Sequence, residues 1–324
     1  MAKTKVIVTR KLPQAVESRL TELFDTELNT DDHLFTRDEL ADALGRADVL
    51  VPTLNDQIDA QLLTTAGKQL KLIANYGSGS DHIDVHAAHR HGIYVSTSPT
   101  TSASDTADMT IALILAVLRR FKEGSQVIES GEWTGWSPSS FLGTRVRGKT
   151  LGIMGLGRIG TALAEKAQVF GLEIKYYDPI PAHPDKEARL NATRCESLED
   201  LLSQIDILAM CAPLNEDTKA ILNAERLSLM KPTAFVINTA RGRLIDEAAL
   251  VEALSNKTIA GAGLDVLAMG TDVNTDLCKM PNVMLLPHMG SATIEARTEM
   301  GETLILNIKM HEDGHKPPNL VIPI

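Results

Sequence analysis

Leu151-Gly152-Ile153-Met154-Gly155-Leu156-Gly157-Arg158-Ile159-Gly160 is the stretch that decides the fold. An apolar run leads directly into Gly-x-Gly-x-x-Gly. A helical pattern follows from Thr161 to Phe170, and a second β-type run, Leu172 to Tyr177, ends at Asp178. Strand, glycine turn, helix, strand, acid is the order of a dinucleotide-binding unit. Each glycine has its own task there. Gly155 permits the tight turn, Gly157 lets the main chain approach a pyrophosphate, and Gly160 lets helix and strand pack closely. The phosphates would sit at the helix N-terminus, beside Arg158 and Ile159, where free N–H groups and the helix dipole favour an anion. Asp178, 18 positions after Gly160, falls at the strand tip, where a carboxylate accepts hydrogen bonds from the adenosine ribose. The opposing reading is a glycine-rich turn with no ligand; a lone motif would not exclude it, but this context favours the dinucleotide.

The rest of the chain fits an α/β protein of two doubly wound, Rossmann-like domains with parallel sheets and a cleft between them. A length of 324 residues suggests two domains, and 44% hydrophobic residues suffice for sizeable cores. Strands are expected at Val6–Thr9, Asp48–Pro52, Leu72–Asn75 and Ile93–Val95, with helices at Pro13–Glu22 and Asp84–His91. After a Ser/Thr/Pro-rich linker, Ser96 to Ser104, one long helix is expected over Ala103–Glu123. Further strands are expected at Ile205–Met210, Ala234–Asn238, Gly261–Val266 and Val283–Pro287, with helices at Leu198–Ser203 and Glu247–Leu254. A last helix, Ile294–His311, could return to the first domain. The domains are then 1–101 plus 294–324 for substrate, and 102–293 for the dinucleotide.

A formal net charge of −10 disfavours nucleic acid or an anionic membrane as partner. The longest apolar run, Ile111 to Leu118, is too short to span a bilayer. Cys195, Cys211 and Cys278 have no paired spacing, which suits a reducing cytoplasm. Met1 to Arg10 does not read as a signal peptide.

Several motifs in order carry a family resemblance: Gly77-Ser78-Gly79-Ser80-Asp81-His82-Ile83-Asp84, Thr106-Ala107-Asp108, the glycine loop, Asn238-Thr239-Ala240-Arg241-Gly242, Ala262-Gly263-Leu264-Asp265-Val266, and Pro287-His288-Met289-Gly290-Ser291-Ala292-Thr293. Over nearly its whole length the chain resembles the D-isomer-specific 2-hydroxyacid dehydrogenases. Trp133-Thr134-Gly135-Trp136 resembles the glyoxylate/hydroxypyruvate reductase branch. The resemblance implies NAD-dependent reduction of a small 2-oxo acid and a homodimer in which Trp136 reaches the partner's substrate pocket. The other reading of these tryptophans is packing at an interface.

Such a reaction needs the substrate carboxylate held, the carbonyl polarised and a proton delivered to the carbonyl oxygen. Arg241 suits the first two tasks, because its planar fork binds carboxylate and carbonyl oxygens together. His288 is the candidate proton donor, its ordinary pKa being near neutral. Ser78 and Gly79 offer backbone N–H groups to the carboxylate, and Leu54 and Trp136 would wall the pocket. Besides Gly155, Gly157, Arg158, Ile159, Gly160 and Asp178, the expected cofactor set comprises Thr106, Cys211, Pro213, Thr218, Thr239, Ala240, Asp265, His288 and Gly290. NAD is expected over NADP, because Asp178 repels a 2′-phosphate and the nearest cations, His183 and Lys186, lie beyond a proline turn.

One position departs from the family pattern Asp-Val-Phe-x-x-Glu-Pro. Here the stretch is Asp265-Val266-Leu267-Ala268-Met269-Gly270-Thr271, so Gly270 stands where the family has a Glu that pairs with the catalytic His; Asp272 is a possible substitute. Two other readings therefore remain: a dehydrogenase for a bulkier 2-oxo acid, and a dinucleotide-sensing binding protein with little turnover. Retention of Arg241 and His288 argues against the second. No metal is expected. His311-Glu312-Asp313-Gly314-His315 matches His-Glu-x-x-His, but Gly314 and Pro317-Pro318 break the helix that motif needs. His82, His86, His89 and His91 form a cluster with partly helical spacing; it could hold a metal ion, but a short surface helix is the favoured reading.

Overall fold

The apolar runs form two separate parallel sheets in a computed structural model, which describes residues 3–99, 103–268 and 273–323. The chain divides into two units, Met1–Ser102 with Thr293–Ile324, and Ala103–Ala292.

The first unit contains β1 (Lys5–Val8), α1 (Gln14–Leu23), β2 (Asp25–Glu27), α2 (Arg37–Arg46), β3 (Val49–Val51), α3 (Ala60–Leu63), β4 (Leu72–Ala74), α4 (Val85–Arg90) and β5 (Tyr94–Ser96). Its strands pair in the order β2-β1-β3-β4-β5. Alternate residues go to opposite faces, as the strand period requires. Ile7, Leu50, Ile73 and Val95 meet α2, α3 and α4 on one face. Val6, Val8, Val49, Val51, Leu72 and Ala74 cover the other. There they meet α1 and the closing helix, in which Leu304 and Ile308 are fully buried. At that closing helix a Cβ on Gly301 would run into the Val16 side chain, so the close approach to α1 requires glycine.

The second unit runs α5 (Ala103–Leu118), α6 (Phe121–Glu129), β6 (Thr150–Met154), α7 (Arg158–Val169), β7 (Glu173–Tyr177), α8 (Pro184–Leu190), β8 (Ala192–Arg194), α9 (Leu198–Gln204), β9 (Ile207–Met210), α10 (Ala224–Ser228), β10 (Phe235–Asn238), α11 (Glu247–Ser255), β11 (Gly261–Leu264), α12 (Thr275–Lys279) and β12 (Val283–Leu285); α13 (Ile294–Glu312) then rejoins the first unit. The sheet order is β12-β11-β10-β9-β6-β7-β8. The chain starts in mid-sheet at β6, builds outward to β8, returns to β9 beside β6, and builds outward the other way. Ligands of such sheets bind at the carboxyl ends of the strands, where the order reverses. Residues of β6, β9 and β10 are buried on both faces, which is why they read as unbroken apolar runs.

The single helix expected over Ala103–Glu123 is corrected to two. α5 ends at Leu118, and Arg120 adopts a left-handed conformation, φ 57°, at the start of α6. The cause is tertiary. Thr144 donates its N–H to the Leu118 carbonyl at 2.8 Å, and Gly143 lies so close to that carbonyl that any Cβ would collide with it. The returning segment takes the place a continuing helix would need. Arg120 is then held by two hydrogen bonds, 2.7 and 2.6 Å, to Glu123.

Candidate active site

The glycine loop meets the steric requirements read from sequence. Gly155 has φ +94° and lies against the Ala212 backbone, so no side chain fits there. A Cβ on Gly160 would run into the Gly155 carbonyl, which keeps α7 tight against β6. Gly157, at the N-cap of α7, faces open space: a Cβ there would meet no atom within 4 Å. Asp178, after β7, accepts from Leu156 N at 2.9 Å through one oxygen and from Ile180 N at 3.0 Å through the other. Each carboxylate oxygen has a second lone pair, so ribose hydroxyls can still be accepted. An open glycine at a helix N-terminus and an acid anchored beside it fit a nicotinamide dinucleotide.

Three adjacent strands then present the candidate chemical groups. β10 ends in Asn238, which is fully buried. Its side-chain oxygen accepts from Ala240 N at 3.0 Å and its amide donates to the Arg241 carbonyl at 2.8 Å. This brace fixes the backbone of Arg241, which is half-buried and donates through Nη1 to Ala240 O at 2.8 Å. Gly242 follows at a place where a Cβ would collide with the Leu267 backbone. Asp265, just past β11, is fully buried, and its oxygens accept from Met289 N and Gly290 N, both at 2.6 Å. Its carbonyl takes the N–H of His288 at 2.8 Å. Asp265 thus clamps the turn after β12, and His288 sits in that turn with φ 61°, in the left-handed region. Gly290 packs on Asp265 and Thr106, and Thr110 joins Thr106 O to the Thr239 hydroxyl through two 2.8 Å contacts. Thr106, Thr110, Thr239 and Gly290 thus form one linked, buried row, and Ala240, beside Arg241, is buried as well.

Residues 111–290 match the model of the D-isomer specific 2-hydroxyacid dehydrogenase NAD binding domain. A glyoxylate reductase from Thermococcus litoralis is 42% identical over 323 residues, which cover 98% of this chain and 97% of that protein. The chain belongs to the D-isomer specific 2-hydroxyacid dehydrogenase family. It groups there with the glyoxylate reductases. Solved relatives agree in fold. A putative D-isomer specific 2-hydroxyacid dehydrogenase from Polaromonas sp. JS6 66 superposes with a TM-score of 0.92 at 36% identity, covering 99% of this chain and 100% of that one. An NADPH-dependent glyoxylate/hydroxypyruvate reductase from Sinorhizobium meliloti, in complex with NADP and malonate, gives 0.86 at 32% identity, with 99% and 97% covered. The dehydrogenase is an oxidoreductase that depends on a nicotinamide dinucleotide.

The remaining residues singled out from the dehydrogenase's sequence fall in different places. Cys211, after β9, donates its N–H to Met154 O at 2.8 Å, and desolvation pushes its thiol pKa up. Thr218 braces its own loop: its hydroxyl donates to Pro213 O at 2.7 Å and accepts from Asn215 N at 2.8 Å. Leu54, 45% exposed, sits on a turn of the first unit held by buried Asp56, which accepts from Thr53 N at 2.7 Å. Ser78 and Gly79 lie in the loop after β4 of that unit, with the Ser78 side chain exposed. Trp136 is 84% exposed in the segment after α6. Gly270 and Asp272 lie outside the described residues.

One reading is corrected: His82 is not part of a surface helix, since α4 begins at Val85 and His82 is buried against Asn75. Lys186, beyond the proline turn, is brought by α8 to the Leu156 carbonyl at 2.7 Å. Arg194 reaches the Asp178 carbonyl at 3.5 Å. The helix bearing His311 ends at Glu312, so the His-Glu-x-x-His spacing does not run along a continuous helix. Among the described residues no helix is long and apolar enough to cross a membrane.

Proposed function

We propose that this dehydrogenase reduces small 2-oxo acids, glyoxylate and hydroxypyruvate foremost, to the D-2-hydroxy acid, with NADH as the reductant. The observation that carries the reading is the carboxyl edge of the second sheet. Arg241, Asp265 and His288 follow three neighbouring strands, β10, β11 and β12, in the same sheet edge as the glycine loop after β6. Glyoxylate as substrate follows the name of the Thermococcus relative.

In this reading Gly155, Gly157, Arg158, Ile159, Gly160 and Asp178 hold the dinucleotide, with Cys211, Pro213, Thr218, Thr106, Thr239, Ala240, Asp265 and Gly290 along its course. Bound there, a reduced nicotinamide supplies hydride to the substrate carbon. Arg241 grips the carboxylate and polarises the carbonyl through its planar fork. His288 gives its proton to the carbonyl oxygen, and Asp265 fixes the turn that aims it. The Ser78 and Gly79 amides add donors to the same carboxylate, and Leu54 bounds the pocket.

NADH is favoured because Asp178 repels a 2′-phosphate and Pro179-Ile180 offer no cation. Lys186 already serves the Leu156 carbonyl. A homodimer is favoured because α6 buries none of its own residues, and Phe121, Ile128, Trp133, Trp136, Phe141 and Leu142 are exposed along it and the segment that follows. A concentration of exposed large apolar side chains in one segment of the chain marks an interaction site. The cytoplasm suits the unpaired cysteines.

Steady-state rates with glyoxylate and each reduced cofactor test the proposal. NADH should give the higher kcat/KM. Equal or better use of NADPH overturns the cofactor assignment, and a protein that reduces neither glyoxylate nor hydroxypyruvate overturns the substrate assignment.

A further inference from the structure

The loop after β4 is built on two buried polar side chains that the reaction scheme above leaves unused. Asn75 is 1% exposed and His82 is 7% exposed. The Asn75 amide nitrogen donates to the carbonyls of Gly77, at 3.1 Å, and Gly79, at 2.8 Å. Its side-chain oxygen lies 3.1 Å from His82 Nε2. An amide oxygen only accepts, so the imidazole N–H is the donor in that contact. The contact thereby decides which way the amide faces: oxygen toward His82, nitrogen toward the loop. Ser98 reinforces the arrangement. Its N–H donates to Gly77 O at 2.8 Å and its hydroxyl to Asn75 O at 3.1 Å.

These bonds set the polarity of the loop. A trans peptide points its C=O and N–H in opposite directions, and the described residues contain no cis peptide. With the Gly77 and Gly79 carbonyls drawn toward Asn75, the N–H groups of Ser78 and Ser80 face away from it. A loop with two glycines has no preference of its own for this orientation. Turned the other way it would present carbonyl oxygens, which repel an anion.

We propose that Asn75, locked by His82, is a positioning residue for the substrate carboxylate: it holds the Gly77 and Gly79 carbonyls inward so that the Ser78 amide, one of the two donors proposed above, faces outward together with the Ser80 amide as part of an anion-binding nest. The proposal rests on the reading that this loop receives the carboxylate. Asn75 itself touches no substrate.

The test compares four single variants of the full-length protein with NADH as cofactor. Asn75→Asp keeps the shape but replaces the donor with a carboxylate that repels both carbonyls. It should raise the glyoxylate KM by about tenfold or more, and weaken inhibition by oxalate in parallel, with kcat and the NADH KM within about twofold of wild type. His82→Leu frees the amide to rotate and should raise the glyoxylate KM by roughly threefold, whereas His82→Gln retains an N–H donor and should restore it. If Asn75→Asp does not fold, the His82 pair decides. Ser78→Pro deletes an outward N–H and tests the loop itself. If Ser78→Pro leaves the glyoxylate KM unchanged, the loop does not hold the carboxylate and the proposal falls with that reading. If Ser78→Pro raises KM while Asn75→Asp and His82→Leu lower only the melting temperature, the loop reading stands and the role of Asn75 is overturned.

Discussion

Each of the two sheets places a buried asparagine at the carboxyl end of a strand, and the two asparagines do opposite things. Asn238 bridges its loop with both ends of the amide, oxygen to Ala240 N and nitrogen to the Arg241 carbonyl. The backbone is closed on itself, and what the loop offers is the side chain of Arg241. Asn75 spends both amide hydrogens on carbonyls and leaves its oxygen to His82. What that loop offers is main-chain N–H. In the proposed reaction the second unit therefore acts through side-chain identity. The first unit acts through backbone orientation, to which the exposed Ser78 side chain is expected to contribute little. The asymmetry predicts where single substitutions are felt.

The largest effect should come from Arg241→Ala. Two charge-assisted hydrogen bonds are lost together, at about 1.5–3 kcal/mol each, so kcat/KM with glyoxylate should fall by roughly 10²- to 10⁴-fold. A variant within tenfold of wild type would break the comparison at its stronger end. Next, His288→Asn removes the proton donor and should cost about 10²- to 10³-fold in kcat while leaving NADH binding, measured by fluorescence titration, near wild type.

A smaller effect concerns stability rather than rate. His311 packs edge-on against Tyr94, with ring centroids 5.9 Å apart, and burial lowers its pKa from the ordinary 6.5. The unfolded chain then binds the proton more tightly, so stability is lost as pH falls through 6.5 toward the lower folded value. The group is half-exposed, so the loss should stay below about 1 kcal/mol. His311→Gln should flatten the fall in melting temperature between neutral pH and pH about 5. Carboxylates such as Glu27 and Asp206, whose pKa values are lowered from 4.5 and 3.8, act in a separate, more acidic window. An unaltered profile in the variant would show that His311 is not the group titrating. The smallest effect should be that of Ser78→Ala, which keeps the N–H and should change KM by less than about twofold; a tenfold rise would mean the hydroxyl itself binds substrate.

What the sequence made legible is what sterics enforce. The glycine loop and the packing of α7 on β6 follow from Gly155 and Gly160, where a Cβ would meet backbone, and Asp178 follows from the end of the β-type run of β7. The central strands follow from apolar runs buried on both faces. The edge strands β2 and β8 were not legible: Asp25–Glu27 and Ala192–Arg194 are three-residue, mostly polar segments paired on one side only. α2 carries a readable signal, the capping box in which Thr36 and Glu39 bond each other's main-chain N–H, followed by a short amphipathic pattern. The break at Arg120 depends on Gly143 and Thr144, over twenty residues away in sequence, and no local pattern announces it. Spacing alone groups His82 with His86, His89 and His91. It precedes the helix, so helical spacing does not apply to it. The brace of Asn75 spans one loop and the return of Lys186 to Leu156 joins residues on either side of α7 and β7; patterning expresses neither.

The most direct test of the central claim is the rate of NADH loss in the presence of glyoxylate, hydroxypyruvate and phenylpyruvate, compared as kcat/KM. A carboxylate grip at Arg241 in a small pocket predicts that the two small acids exceed phenylpyruvate by more than about tenfold, equivalent to about 1.4 kcal/mol. A preference for phenylpyruvate, or a folded protein that binds NADH and reduces none of the three, would contradict the account.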